Sequence, residues 1–129
     1  MDFEIKKEDW ANFFKSLSRR RYEWKTRIEV FNSEIGDQVL SEGLSFNGIT
    51  VETIGGRTSI DLSVGEHTES HQTHNFQNPK KVAFLAAADN HSDVIDIEEH
   101  DGTKTLITFV EPMGIIIGFI EEQVAVAVG

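Results

Sequence analysis

Between Leu44 and Val64 the chain carries two glycine-based turn signals, Asn47-Gly48 and Gly55-Gly56, and the apolar residues around both follow one period. Such dipeptides favour tight two-residue hairpin turns. A turn at 47–48 sets Phe46 opposite Ile49 and Leu44 opposite Val51. A turn at 55–56 sets Val51 opposite Ile60 and Ile49 opposite Leu62. Both registers place Leu44, Phe46, Ile49, Val51, Ile60, Leu62 and Val64 on a single face. Strand side chains alternate with period two, so a one-residue slip would turn that whole set into water. Gly48 can also serve as a bulge within one longer strand, which keeps the same face inward. Either geometry demands antiparallel sheet.

An apolar sheet face of that size needs a cover, and the N-terminal region supplies one. Residues 7–20 (KEDWANFFKSLSRR) predict a helix, because Trp10, Phe13, Phe14 and Leu17 fall at i, i+3, i+4 and i+7. Glu8 and Asp9 sit in its first turn and Arg19 to Arg21 close it, as the helix dipole favours. From Trp24 the period becomes two, with Trp24, Thr26, Ile28 and Val30 alternating against Lys25, Arg27 and Glu29. Asn32 to Asp37 reads as a turn. Lys81 to Ala87 reads as a short strand lacking clean alternation, so both of its faces are expected to be covered. Asp101-Gly102 is a third hairpin signal, between 94–99 and 103–110. A tight turn there sets Ile97 opposite Leu106 and Glu99 opposite Lys104 as a cross-strand ion pair. The tail alternates Val124, Val126 and Val128 with alanine, which suits an edge strand or a partner contact.

The composition narrows the function classes. The chain has 129 residues, enough for one domain with a real core, and its 39% apolar and 26% charged content is globular. The absence of cysteine excludes disulfides, thiolate metal sites and cysteine catalysis, and fits a reducing cytoplasm. No signal peptide is expected. The apolar run Met113 to Ile120 falls well short of the roughly 20 residues a membrane-spanning helix requires. Net charge is −10, which opposes nucleic acid and anionic membranes. One local exception is the candidate anion patch of Lys15, Arg19, Arg20, Arg21, Lys25 and Arg27, which helix-end charge also explains.

Several landmarks occur in an order that resembles a small bacterial family known as an uncharacterised domain of unknown function. They are Trp10 with Phe13-Phe14, Trp24 leading into TRIEVF (26–31), and Gly36-Asp37-Gln38. Leu44 with Gly48-Ile49, HNFQNP (74–79) and Asp101-Gly102-Thr103 with TLITF (105–109) complete the set. The resemblance covers roughly residues 5–110. It implies a compact bacterial domain and transfers no activity, ligand or catalytic residue. It includes the histidine ahead of the proline, His74, and leaves His67 and His71 peculiar to this chain.

The stretch HTESHQTH (67–74) holds three of the five histidines. On a helix, His67, His71 and His74 would share one face at usable ligand spacing. Thr, Glu, Ser and Gln are middling helix formers, and Gly65 and Pro79 bracket the segment, so a polar strand or loop is the better reading. A strand puts His67, Glu69 and His71 on one face and His74 on the other. Three histidines then cannot converge, and the only candidate metal ligands left are His67, Glu69 and His71. HTESH is not the HExxH zinc motif. Asp89, Asp93, Asp96, Glu98, Glu99 and Asp101 lack the calcium-loop spacing and read as solvated strand charge. No GxSxG elbow, GxGxxG or GxxxxGK[ST] loop occurs. No catalytic residue is assigned, and no metal or cofactor is expected.

The expectation is one α+β domain over residues 1–129. Its N-terminal helix packs on a strongly bent antiparallel sheet of about six strands, with partial closure into a barrel as the extreme form. The helix stripe should meet Ile49, Val51, Ile60 and Leu62. The leading function is a non-enzymatic binding or interaction module. Its expected partner is protein, a second copy in a dimer, joined through a sheet edge or through Ile115–Val128. The alternative is a small-ligand or metal-dependent enzyme built around His67, His71, His74 or His91.

Overall fold

The computed structural model describes residues 3–65, 71–86 and 92–111. In chain order they form β1 (Phe3–Ile5), a 3-10 turn (Lys7–Asp9), α1 (Trp10–Arg20), β2 (Lys25–Asn32), β3 (Gly36–Ile54) and β4 (Arg57–Val64). β5 (Gln72–Gln77), β6 (Pro79–Ala86), β7 (Ser92–Glu99) and β8 (Lys104–Val110) follow. Every strand pairing is antiparallel. The α+β class holds, but the sheet has eight strands rather than about six among the described residues. Its order is β1-β6-β7-β8-β2-β3-β4-β5, and β1 and β5 end it without pairing to each other. Partial closure into a barrel is therefore corrected to an open, curled sheet. The two extra strands are β1, only three residues long, and the polar β5, neither of which carries an apolar alternation.

The predicted helix begins as a single 3-10 turn and becomes α-helical at Trp10. Trp10, Phe14 and Leu17 are buried and Phe13 packs against them, so the spacing of the stripe set the face that docks. Trp10 does more than fill space, since its indole Nε1–H donates to the Ile5 carbonyl at 2.9 Å and ties the helix to β1. At the other end Arg21 lies 4.3 Å over the Trp24 ring while its Nε donates to Asp93 Oδ2 at 2.5 Å. The helix is thus pinned to β1 at its start and to β7 at its close.

β3 is the spine of the molecule. Its first half pairs with β2 and its second half with β4. No turn forms at Asn47-Gly48, so the pairings of Phe46 with Ile49 and of Leu44 with Val51 are corrected. The strand runs through, with the register stepping between Phe46 and Gly48 as a bulge. Gly55-Gly56 does make the turn, both residues with positive φ, and it sets Val51 opposite Ile60 and Ile49 opposite Leu62 as expected. A local reason favours the bulge over a turn. Past Phe46 the β2-facing edge of β3 has no strand beside it, and Ser18 of α1 fills in. Ile49 N–H donates to Ser18 Oγ at 3.0 Å and Ser18 Oγ–H donates to the Ile49 carbonyl at 3.1 Å. A helix hydroxyl completes what a strand would otherwise supply.

The β7–β8 hairpin forms with a different register. Gly102 N–H donates to the Glu99 carbonyl, Glu99 N–H to the Thr103 carbonyl, and Gly102 takes φ 93°. This is the three-residue loop with a left-handed glycine rather than the two-residue turn. The extra loop residue shifts the ladder, so Ile97 lies opposite Thr105 and Glu98 opposite Lys104. Thr105, Ile107 and Phe109 therefore face inward, and Leu106 does not. The expected Glu99–Lys104 pair is replaced by Lys104 Nζ to Asp96 Oδ2 at 3.4 Å.

One core joins all layers. Ile28, Ile95, Ile97, Ile107 and Phe109 come from one half of the sheet, and Phe46, Ile49, Ile60, Leu62, Val64 and Phe76 from the other, with α1 closing the gap. Phe46 and Phe109 meet edge to face at 4.8 Å between centroids, a geometry worth about 0.5–1.5 kcal/mol beyond area burial. β4 also meets β6, although four strands separate them in the order, which measures how far the sheet curls. In β6, Val82 and Ala83 are both buried at successive positions, so this strand is covered on both faces as its composition suggested.

Candidate functional site

β5 carries the histidine question, and the strand ladder answers part of it. Leu62 lies opposite His74, Ile60 opposite Phe76 and Val64 opposite Gln72, so Gln72, His74 and Phe76 turn toward the core side. Thr73, Asn75 and Gln77 turn outward beside Ser63, Asp61 and Ser59. His71 joins that outward set, its Nε2 within 3.3 Å of both Ser63 Oγ and Thr73 Oγ1. His74 Nε2 instead meets Gln72 Oε1 at 3.1 Å. The two histidines therefore occupy opposite faces, and β5 does not bring them together. His67, Glu69 and His91 lie outside the described residues. Among the described residues no group of three or more His, Asp or Glu side chains could hold a metal ion. Half-burial pushes the His74 imidazole below its ordinary pKa, because the cation loses water there.

The outward surface of β4 and β5 is a hydrogen-bonded lattice of short polar side chains. Asn75 Nδ2 donates to Asp61 Oδ1 at 2.6 Å, and Gln77 Nε2 donates to Asn75 Oδ1. Asn47 Nδ2 donates to Ser63 Oγ at 3.4 Å. Within β5 itself no residue is charged at neutral pH.

The six residues of the candidate anion patch are placed in two groups. Lys15, Arg19 and Arg20 are exposed along α1. Arg21 is committed to Asp93 and to the Trp24 ring, and Lys25 Nζ donates to Ser45 Oγ at 3.2 Å. Arg27 lies 3.8 Å from Glu29 and 3.9 Å from Glu42. Half of the cluster thus serves intramolecular contacts.

The acidic set is not uniformly solvated, which corrects the sequence reading. Asp93 is the Arg21 partner, and Asp96 is 4% exposed, on the sheet face away from the core. Asp96 Oδ2 faces Lys104, while Oδ1 has no hydrogen-bond partner among the described residues. Burial raises its pKa, and the Lys104 ammonium opposes that rise. Glu99 is also raised, by burial and by Asp101 nearby. Asp101 is lowered by the Thr103 N–H that donates to its Oδ1 at 2.8 Å. Asp89 lies outside the described residues.

An open groove of about 480 Å³ runs between β1 and the start of α1, lined by Phe3, Ile5, Lys6, Asp9 and Phe13 among others. It contains no nucleophile with a base and no convergent set of polar groups of the kind a small-molecule site requires.

The fold and these surfaces define a class: a small α+β domain whose open antiparallel sheet is covered on one side by an N-terminal helix. The chain belongs to the family described as a family of unknown function, DUF5335, whose model matches residues 1–115. The likeness read from the sequence is thereby shown. A similar protein is an uncharacterized protein of Aquifex aeolicus (strain VF5), 26% identical over 103 residues, covering 80% of this chain and 86% of that protein. No solved structure matches. No helix among the described residues is long and apolar enough to cross a membrane.

Proposed function

We propose that this protein is a non-enzymatic interaction module that associates with a second copy of itself through an edge of its sheet. The observation that supports the reading is the open strand order, which begins at β1 and ends at β5. An open sheet presents unpaired backbone N–H and C=O groups at its margins, and these template pairing with another chain. A third margin lies along residues 36–44 of β3, whose β4-facing edge meets no strand among the described residues, because the β4 ladder begins at Phe46 and Gly65 N–H takes the Ser45 carbonyl. Val39 and Leu40 are exposed there, and Ile35 is exposed at the adjoining turn. The Ile115–Val128 segment, the other expected contact, lies outside the described residues. A location in the bacterial cytoplasm belongs to the same reading and is supported by a chain without cysteine.

The test is sedimentation velocity across a concentration series at neutral pH. A concentration-dependent shift from monomer to dimer is expected. A monomer at every concentration, up to the millimolar range (about −4 kcal/mol of association), overturns the reading.

A further inference from the structure

The three sheet margins are not equivalent, and their differences select one. β1 offers three residues with Glu4 at the centre, so a second copy pairing there would set Glu4 against its own counterpart. The free stretch of β3 carries Asp37 and Glu42 and is interrupted by two irregularities in its ladder with β2. Gly43 is skipped between Leu44 and Glu42, and Leu40 between Ser41 and Val39. Short length, charge and bulges are the devices that protect an edge from pairing. β5 has none of them. Its six residues, QTHNFQ, contain no charge, proline or glycine, and its ladder with β4 is regular from end to end. On a chain of net charge −10, it is the margin along which two copies can meet without opposing like charges.

The backbone direction of β5 follows from two independent hydrogen bonds. Asn78 N–H donates to the Thr58 carbonyl at 3.0 Å, so position 78 faces β4. Ile49 turns its N–H and C=O to Ser18, away from β4, so Leu62 opposite it must face β5, and His74 opposite Leu62 must face β4. Both place the amides of even-numbered β5 residues toward β4. The N–H and C=O groups of Thr73, Asn75 and Gln77 therefore point outward; the Gln77 N–H donates to the Glu99 carboxylate, and no strand of the described residues pairs with this edge.

We infer that a second copy of this chain adds antiparallel to the free edge of β5 about a two-fold axis at His74, making β4 and β5 of both copies one continuous sheet. The inference rests on the self-association proposed above and names its surface. A two-fold axis between antiparallel strands keeps the same face up on both copies, so core-side residues must oppose core-side residues. His74 then faces the second copy's His74 and Gln72 faces Phe76, while Thr73 exchanges two backbone hydrogen bonds with Asn75. Phe76 then lies beside the second copy's Gln72 on the core side, and the polar Asn75–Asp61 lattice is continued on the outer face.

The chain has no cysteine, so single introduced thiols report distance without further engineering. His74→Cys places two thiols across a non-hydrogen-bonded pair, where Cα atoms lie about 4.5 Å apart, within disulfide range. Mild oxidation is expected to link most of this variant as a covalent dimer. Thr73→Cys, whose counterpart is displaced along the strand beyond disulfide reach, is expected to stay largely unlinked. In the unmodified protein, amide exchange at Thr73 and Asn75 should slow at least tenfold as concentration rises, and this reading does not depend on any variant folding. Linking at Asn75→Cys but not His74→Cys overturns the proposed axis. Linking at Leu40→Cys with unchanged exchange in β5 overturns the surface while leaving self-association standing. A monomer with no linking anywhere overturns both.

Discussion

Ser18 shows how one side chain can decide between two folds of the same stretch. Its hydroxyl accepts from and donates to Ile49, supplying both partners that the bulged β3 lacks on that edge. Serine in the last turn of a helix carries no sequence signature for that role, so nothing around Asn47-Gly48 distinguished a bulge from a turn. Ser18→Ala leaves a part-buried N–H and carbonyl unpaired and is expected to lower the unfolding free energy by about 1–3 kcal/mol in urea denaturation. Asp96 is the converse case, a buried carboxylate with one oxygen that no described residue satisfies. Because its folded pKa lies above the ordinary 3.8, the folded state binds the proton more tightly than the unfolded chain. Its contribution to stability therefore grows as pH falls from the raised value toward 3.8. Asp96→Asn should remove that acid-side gain, and at neutral pH it should lie between no effect and about 1 kcal/mol more stable. Paired unfolding curves of the two proteins at neutral and mildly acidic pH measure the difference directly.

At the scale of elements, what could be read from the sequence was periodicity, and what could not was the turn geometry joining periodic runs. The helix stripe, the inward face of β3 and β4, and the split of His71 from His74 all follow from fixed spacings of 3.6 or 2. Asp101-Gly102 is compatible with both a two-residue and a three-residue loop, and the choice moves β8 by one residue and reverses its faces. β5 lacks an apolar rhythm because two of its three core-side positions, Gln72 and His74, are polar, and the pairing order that makes it an edge is set by residues far along the chain. The glycines give a direct test of the bulge. Gly48 does not have positive φ, and an added Cβ would meet Ser18 Oγ at an ordinary 3.7 Å. Gly56 has φ 80° with open space around it, so an added Cβ there is strained by conformation alone. Gly48→Ala is expected to be neutral or stabilising by up to about 1 kcal/mol, and Gly56→Ala to destabilise by about 1 kcal/mol or more. The opposite order, in thermal or urea unfolding, would return Asn47-Gly48 to a turn.

At the scale of the whole molecule, two electrostatic effects act on the proposed dimer with different signatures. Net charge of −10 makes any two copies repel, whichever edge they use. Raising salt from about 20 mM to about 300 mM shortens the screening length several-fold, so association should strengthen with salt. Acidification reduces the same repulsion as the pH approaches the sequence pI near 4.8, and on net charge alone it should also tighten the dimer. His74 opposes this. Its neighbours across the ladder and along the strand are Leu62, Phe76 and Gln72, none charged, while Asp61 is engaged with Asn75 on the other face. Burial holds its folded pKa below 6.5, so its neutral form is the one the fold accommodates. As pH falls below about 6.5 and through that lowered value, the unfolded chain takes up the proton first and the stability associated with neutral His74 is lost. Across the two-fold axis, protonation would also set two imidazolium ions against each other. Sedimentation as a function of pH should therefore show dissociation on the acid side before net neutrality is reached. His74→Gln, which keeps the polar contact to Gln72 without a titrating group, should show only the monotonic tightening that net charge dictates. If both proteins tighten alike, His74 does not lie at the axis.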